Sequence, residues 1–164
     1  MFAGHCYAET HRINPKTDIK KLSKEAKAGD TIVLENGTWK DVELKLASLA
    51  GTKESPISIV AETPGKVILT GKSRVRLSGQ HVIVSGLVLR DCTNDKDVFE
   101  TRTDKENLGK HFRITQCVFD QTKDHKTSES PKWLSIHGSH HRICLLYTSP
   151  SPRDATLSRM PSSA

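Results

Sequence analysis

From residue 31 to residue 143 the chain is written in short apolar runs, each closed by a turn signal, and no helical period persists across that stretch. Thr31 to Leu34 is one run, followed by Asn36-Gly37; Val42, Leu44 and Leu46 then alternate with Asp41, Glu43 and Lys45. Ile57, Ile59 and Ala61 repeat the pattern after Pro56, Val67 to Leu69 follow Pro64-Gly65, and Val75 and Leu77 precede Gly79. No crossover helix follows any of these strands, which excludes a doubly wound α/β sheet. The helical signal lies ahead of them. Ile19, Leu22 and Ala26 fall on one face, Thr17 or Asp18 can cap the start and Gly29 can stop the end, predicting a helix of about ten residues.

The strands belong to a repeat. Gln80 to Leu89 aligns without a gap on Lys110 to Phe119, and Ser139-His140-His141-Arg142-Ile143 opens a third copy. Apolar positions coincide at Val82 with Phe112, at Val84 with Ile114 and Ile143, at Leu87 with Cys117 and at Leu89 with Phe119. Such a unit cannot bury its apolar side alone, whereas stacked copies turn equivalent residues into ladders up a common axis. The fold expected is all-β: a right-handed parallel β-helix, with a capping helix at its N-terminal end. Thr93 to Gly109 and Gln121 to Lys132 occupy equivalent places in two coils and read as loops on one side, where solenoids commonly build binding surfaces.

The third copy departs from the pattern after Ile143. A second alternating strand like Cys117-Val118-Phe119 is due, but Pro150 and Pro152 follow closely, and proline has no N–H for an interior ladder. The sequence therefore divides into 1–16, a leader that is either a signal-peptide remnant or an ordinary N-terminus; 17–144, the helix and first coils; and 145–164, which resembles translated sequencing-adaptor sequence and reads as a disordered non-native tail. On that division the chain is the beginning of a longer protein.

Composition narrows the classes. The 164 residues carry 25 Lys and Arg against 19 Asp and Glu, a formal charge of +6, which favours an anionic partner. Nucleic acid is disfavoured, because aromatics make up only 5% and do not interleave with a basic stripe. No apolar run approaches the ~20 residues of a membrane-spanning helix. Cys6, Cys92, Cys117 and Cys144 form no CxxC pair, so neither a zinc ribbon nor a dense disulfide framework is indicated.

Ala28-Gly29-Asp30-Thr31-Ile32-Val33-Leu34-Glu35-Asn36-Gly37-Thr38-Trp39-Lys40-Asp41-Val42-Glu43-Leu44 resembles the N-terminal coil of polysaccharide lyase family six, the group of alginate lyases and chondroitinase B. Pro56-Ile57-Ser58-Ile59, Glu62-Thr63-Pro64-Gly65-Lys66-Val67, Leu69-Thr70-Gly71 and Ile136-His137-Gly138-Ser139 extend the resemblance over about residues 17–144. It implies β-elimination on alginate or on chondroitin or dermatan sulfate, a lysine base with an arginine acid, a secreted or periplasmic location, and calcium in the full-length protein. The lysine, the arginine and the calcium ligands of the family come from later coils, and no residue here matches them. No catalytic, cofactor-binding or metal residue is therefore assigned, and the chain alone is expected to be inactive. A non-catalytic carbohydrate-binding or structural β-helix, and a β-helix glycoside hydrolase, stay open beside the lyase.

Three clusters could carry chemistry. His137, His140, His141 and Cys144 have the donors of a zinc site, yet the repeat already accounts for His140, opposite His111 and His81, and for His141, opposite Phe112. Asp95, Asp97, Glu100, Asp104 and Glu106 gather oxygen ligands in the first long loop, without EF-hand spacing. Lys72, Arg74, Arg76 and Arg90, if they alternate outward on stacked coils, could meet a polyanion on the solenoid wall.

Overall fold

The structure, a computed structural model, describes residues 8–93, 96–121, 132–144 and 146–148. Strand β1 (Thr10–Ile13) opens the chain and α1 (Ile19–Glu25) follows. One coil is then made by β2 (Thr31–Leu34), β3 (Gly37–Lys40) and β4 (Glu43–Ala50), and the next by β5 (Ile57–Ala61), β6 (Val67–Gly71) and β7 (Arg74–Gln80). A third comprises β8 (Val82–Ser85), β9 (Leu87–Cys92) and a divided last side, β10 (Phe99–Glu100) with β11 (Gly109–Lys110). A fourth repeats that plan as β12 (Arg113–Thr115), β13 (Val118–Asp120), β14 (Leu134–Ser135) and β15 (Gly138–Ser139). A further turn starts with β16 (Arg142–Cys144) and β17 (Tyr147–Thr148).

Equivalent strands pair in parallel and build three walls. The first runs β1-β2-β5-β8-β12-β16, the second β3-β6-β9-β13-β17, and the third places β7 between β4 on one side and β10 and β11 on the other, with β14 and β15 beyond them. The parallel β-solenoid expected from the repeat is thus the fold. Its register follows the sequence alignment: Val84 pairs with Ile114, and Ile114 with Ile143.

Alternation along each strand decides which side chains enter the axis. Ile32, Ile59, Val84 and Ile114 form a fully buried ladder on the first wall, and Trp39, Leu69, Leu89 and Phe119 form the matching ladder on the second. Leu44, Val75 and Phe99 line the third wall. Leu22 of α1 is buried at the N-terminal end, where the Ser23 hydroxyl donates to Ala47 O at 2.9 Å and accepts from Ala47 N–H at 2.8 Å.

Local outcomes differ from the sequence reading in several places. The helix has seven residues: Asp18 caps it by accepting from the Lys20 and Lys21 N–H groups, but Ala26 already takes an extended conformation, φ −62° and ψ 128°. Gly29, at φ +91°, serves the later turn into β2, where the Asp30 N–H bonds Lys27 O. Strand β3 is a finding, since the runs read from the sequence did not include it; it pairs in parallel with β6, with the Trp39 indole buried and its N–H bonded to Glu35 O at 3.0 Å. Tyr147 and Thr148 pair with Val118 and Phe119, so the third copy has its second strand, two residues long and ending ahead of Pro150. Residues 10–13, inside the stretch read as a leader, pair with 31–34 as the solenoid's first rung.

Candidate functional site: a charged groove on the third wall

The outward positions of the third wall carry charge because the inward ones must be apolar. Leu44 and Leu46 point in from β4, so Glu43 and Lys45 point out; Val75 and Leu77 do the same for Arg74 and Arg76. Register then sets Glu43 against Arg74, Lys45 against Arg76, and Arg76 against Glu100. Glu100 is the hub, with a side chain only 7% exposed. Its Oε1 accepts from Arg74 Nη2 at 2.6 Å and its Oε2 from Arg102 Nε at 3.3 Å, while Arg76 Nε stands 4.0 Å from Oε2. That Arg76 nitrogen is buried and has no hydrogen-bond partner, although Nη2 of the same side chain donates to Thr103 O. Arg76 Nη1 also reaches Glu43 Oε1 at 3.5 Å.

These groups floor an open groove of about 470 Å³, lined by Arg74, Arg76, Lys96, Asp97, Glu100, Arg102, Asp104 and Lys105. Five cations face three carboxylates, and the carboxylates are engaged by the protein. Asp97 accepts from the Ser135 hydroxyl and from Lys132 N–H; burial works to raise its carboxyl, but these bonds, with Lys132 and Arg102 nearby, hold it below the usual carboxylate value. Asp104 accepts from the Asn107 side chain at 2.7 Å and from the Asn107 and Glu106 N–H groups, which lowers it likewise. The side chains of Lys96 and Lys105 make no hydrogen bond or ion pair among the described residues. The groove therefore presents a surplus of donors and positive charge.

Of the basic residues singled out in the sequence, Arg74 and Arg76 share this groove. Arg90 stands on the second wall, paired with Asp120 at 2.8 Å, and Lys72 is exposed at a corner where its N–H bonds Asp41 Oδ1. Of the acidic group, Asp97, Glu100 and Asp104 come together, Glu106 sits within the Asp104–Asn107 turn without lining the groove, and Asp95 falls outside the described residues. The histidines do not converge. His140 stacks on His111 with ring centroids 4.7 Å apart, His141 meets the edge of Phe112 and contacts His137 O at 3.0 Å, and Cys144 lies 3.6 Å from Thr115 Oγ1. The Thr115 bond, against some burial and with Arg113 and Arg142 nearby, lowers the Cys144 thiol, whereas burial and then Asp91 push Cys92 up to about 12. No three His, Cys, Asp or Glu side chains among the described residues are placed to hold a metal ion, and the residues of this groove do not fit calcium because their carboxylates already hold donors. Arg102, Lys96 and Lys105 were missed in the sequence: they sit in an aperiodic excursion, closed by a bridge between Arg102 and Leu108, where alternation gives no signal.

Comparison with known proteins follows the same coils. Residues 13–157 match the family profile described as Chondroitinase B. Among solved structures, the polysaccharide lyase family 6 alginate lyase AlyGC is 38% identical over 82% of this chain, with a TM-score of 0.73. A mannuronic acid specific family 6 lyase from human gut microbiota is 23% identical over 87% (TM-score 0.72), and the family 6 lyase Pedsa3628 from Pseudopedobacter saltans 22% over 81% (TM-score 0.68); these two support the fold. The chain spans 18%, 34% and 30% of those three proteins respectively. A search of curated protein sequences gives no significant match. With nearly the whole solenoid inside the matched span, the chain belongs to the chondroitinase B family.

Proposed function

We propose that the protein carrying this chain is a lyase that cuts a uronic-acid polysaccharide, alginate or chondroitin/dermatan sulfate, by β-elimination, and that these coils begin its solenoid. The observation that carries the reading is the 38% identity to an alginate lyase across 82% of the chain. The groove supports it, since a surplus of cations on the outer wall suits an anionic polymer.

In such a reaction a base takes the proton at C5 of the uronate. The electron pair forms the C4–C5 double bond, and the 4-linked sugar leaves with a proton from an acid. The C5 proton is poorly acidic until the adjacent carboxylate is neutralised, which a cation in a pre-organised site achieves. A lysine serves as base only when neighbouring cations or burial lower its pKa. By resemblance to the family, the lysine base and the arginine acid are assigned to coils other than these, together with any calcium. No helix among the described residues is long and apolar enough to cross a membrane. A polymeric substrate favours a secreted or periplasmic protein.

The test is incubation of the whole protein with alginate and with dermatan sulfate. Ultraviolet absorbance from unsaturated ends is expected; new reducing ends without that absorbance would make it a hydrolase, and polymer binding without turnover a non-catalytic protein. The 164-residue chain alone is expected to give no unsaturated ends.

A further inference from the structure

We infer that the groove around Glu100 is an anion subsite in which a carboxylate or sulfate of the polymer replaces Glu100 as the partner of Arg102. This rests on the reading of the protein as one that binds an acidic polysaccharide, and it assigns that binding to residues for which the elimination chemistry has no use.

The geometry leaves one buried donor without an acceptor. Three guanidinium groups converge on the Glu100 carboxylate, with the more exposed Glu43 reaching Arg74 at 3.9 Å and Arg76 at 3.5 Å; Glu100 accepts from Arg74 and Arg102 while the buried Arg76 Nε goes without a hydrogen bond. A buried donor left unsatisfied is costly, so the site gains whenever Oε2 moves the short distance to Arg76. That move stretches the 3.3 Å bond from Arg102, which an arriving anion can replace. Arg102 is the guanidinium placed to take one: its side chain is 36% exposed, against 14% for Arg74 and 20% for Arg76. An arriving carboxylate or sulfate can pair with the Arg102 fork, with Lys96 and Lys105 contributing charge at the rim. Glu100 then acts as a positioning residue. It holds the arginines in a desolvated fan and hands one of them to the ligand. No covalent bond is made or broken, and each of the three guanidinium groups keeps an anionic partner.

The experiment is titration of the 164-residue chain with alginate oligomers, which carry only carboxylates, with dermatan sulfate oligomers, which add sulfate, and with a neutral dextran as control. Arg102→Gln should weaken binding of the anionic oligomers about tenfold or more, as expected for loss of a charge-assisted pair. The double variant Lys96→Gln/Lys105→Gln removes no internal contact and should weaken binding and flatten its salt dependence, which keeps the proposal testable if Arg102→Gln fails to fold. Glu100→Gln should lower the melting temperature, because the guanidinium groups lose their shared carboxylate. A purely structural network would show weakened binding only in variants that also lose stability, whereas the double lysine variant should weaken binding at an unchanged melting temperature. Arg12→Gln, which breaks the exposed pair with Glu62 on the first wall, should leave binding unchanged. Equal binding of dextran, indifference to Arg102→Gln and the double variant, or no binding by the parent chain would each overturn the subsite. Unsaturated ends from the whole protein alongside any of those outcomes would leave the lyase reading standing; tight Arg102-dependent binding with hydrolytic products would do the reverse.

Discussion

His111 lies flat against His81, with ring centroids 4.6 Å apart and planes within 2°. His140 continues the stack on the other side of His111. All three occupy the same corner of successive coils at positive φ, +50°, +54° and +58°, so the backbone repeats the turn and delivers the rings in register.

The stack makes the solenoid sensitive to acid. Loss of water around His111, followed by the nearby His81, His140, His141 and Lys110, holds its pKa below the ordinary histidine value. The unfolded chain then takes up the proton more readily than the folded one, so the contribution is complete above the unfolded value of 6.5 and is lost as pH falls through it toward the folded value. Denaturant midpoints taken from about pH 8 to about pH 5 should fall. His111→Asn, which tolerates the left-handed backbone and cannot titrate, should reduce that fall; an unchanged slope would remove the stack from the explanation.

The buried ladder of the first wall predicts a graded pair of losses. Ile114 is fully buried between Val84 and Ile143, and Ile114→Ala should cost about 2 to 5 kcal/mol in equilibrium unfolding. Ile143 continues the same ladder but is 39% exposed, so Ile143→Ala should cost clearly less, about 1 kcal/mol. A loss under about 0.5 kcal/mol at Ile114 would contradict its inward placement.

The contrast between those two isoleucines also shows what the sequence makes legible. Val84, Ile114 and Ile143 align by simple repetition, and parallel stacking converts that repetition directly into register. Trp39 was harder, because it follows the Asn36-Gly37 turn signal directly and its strand is specified by the ladder to Leu69 rather than by local alternation. Arg74 and Arg76 could be placed outward from Val75 and Leu77, yet nothing in the sequence brings Arg102 to the same carboxylate. That meeting depends on how the 101–108 excursion folds back, with Arg102 bridged to Leu108 and Thr103 N–H bonded to Asn107 O. Such geometry has no period to read.

Asp30 supplies a second pH dependence, of a different kind. It is buried, which works to raise its carboxyl, but bonds from the Lys27 and Glu9 N–H groups and from His11 outweigh burial and leave the pKa below the usual value. A depressed carboxylate stabilises the fold above its unfolded pKa of 3.8, and this is lost as pH falls through the folded value. Asp30→Asn should cost about 1 to 3 kcal/mol at neutral pH, because one of the N–H groups loses its acceptor, and should flatten the stability curve below about pH 4. Equal acid sensitivity in parent and variant would show that Asp30 does not carry it.

A close backbone approach on the third wall yields the sharpest contrast. Gly79, Gly109 and Gly138 face one another along the third wall, and a Cβ built on Gly79 would lie 2.0 Å from Leu49 O, where neither strand can yield without breaking the β4–β7 pairing. Gly79 also has φ +119°, outside the range an alanine adopts comfortably. Gly79→Ala should therefore cost more than about 3 kcal/mol. Gly65, at φ +82°, has open space around its missing side chain, so Gly65→Ala meets only the backbone penalty, about 1 to 2 kcal/mol. Paired thermal melts of the two variants separate the effects. Equal losses would mean that backbone conformation, rather than the packing distance between coils, makes glycine necessary on this wall.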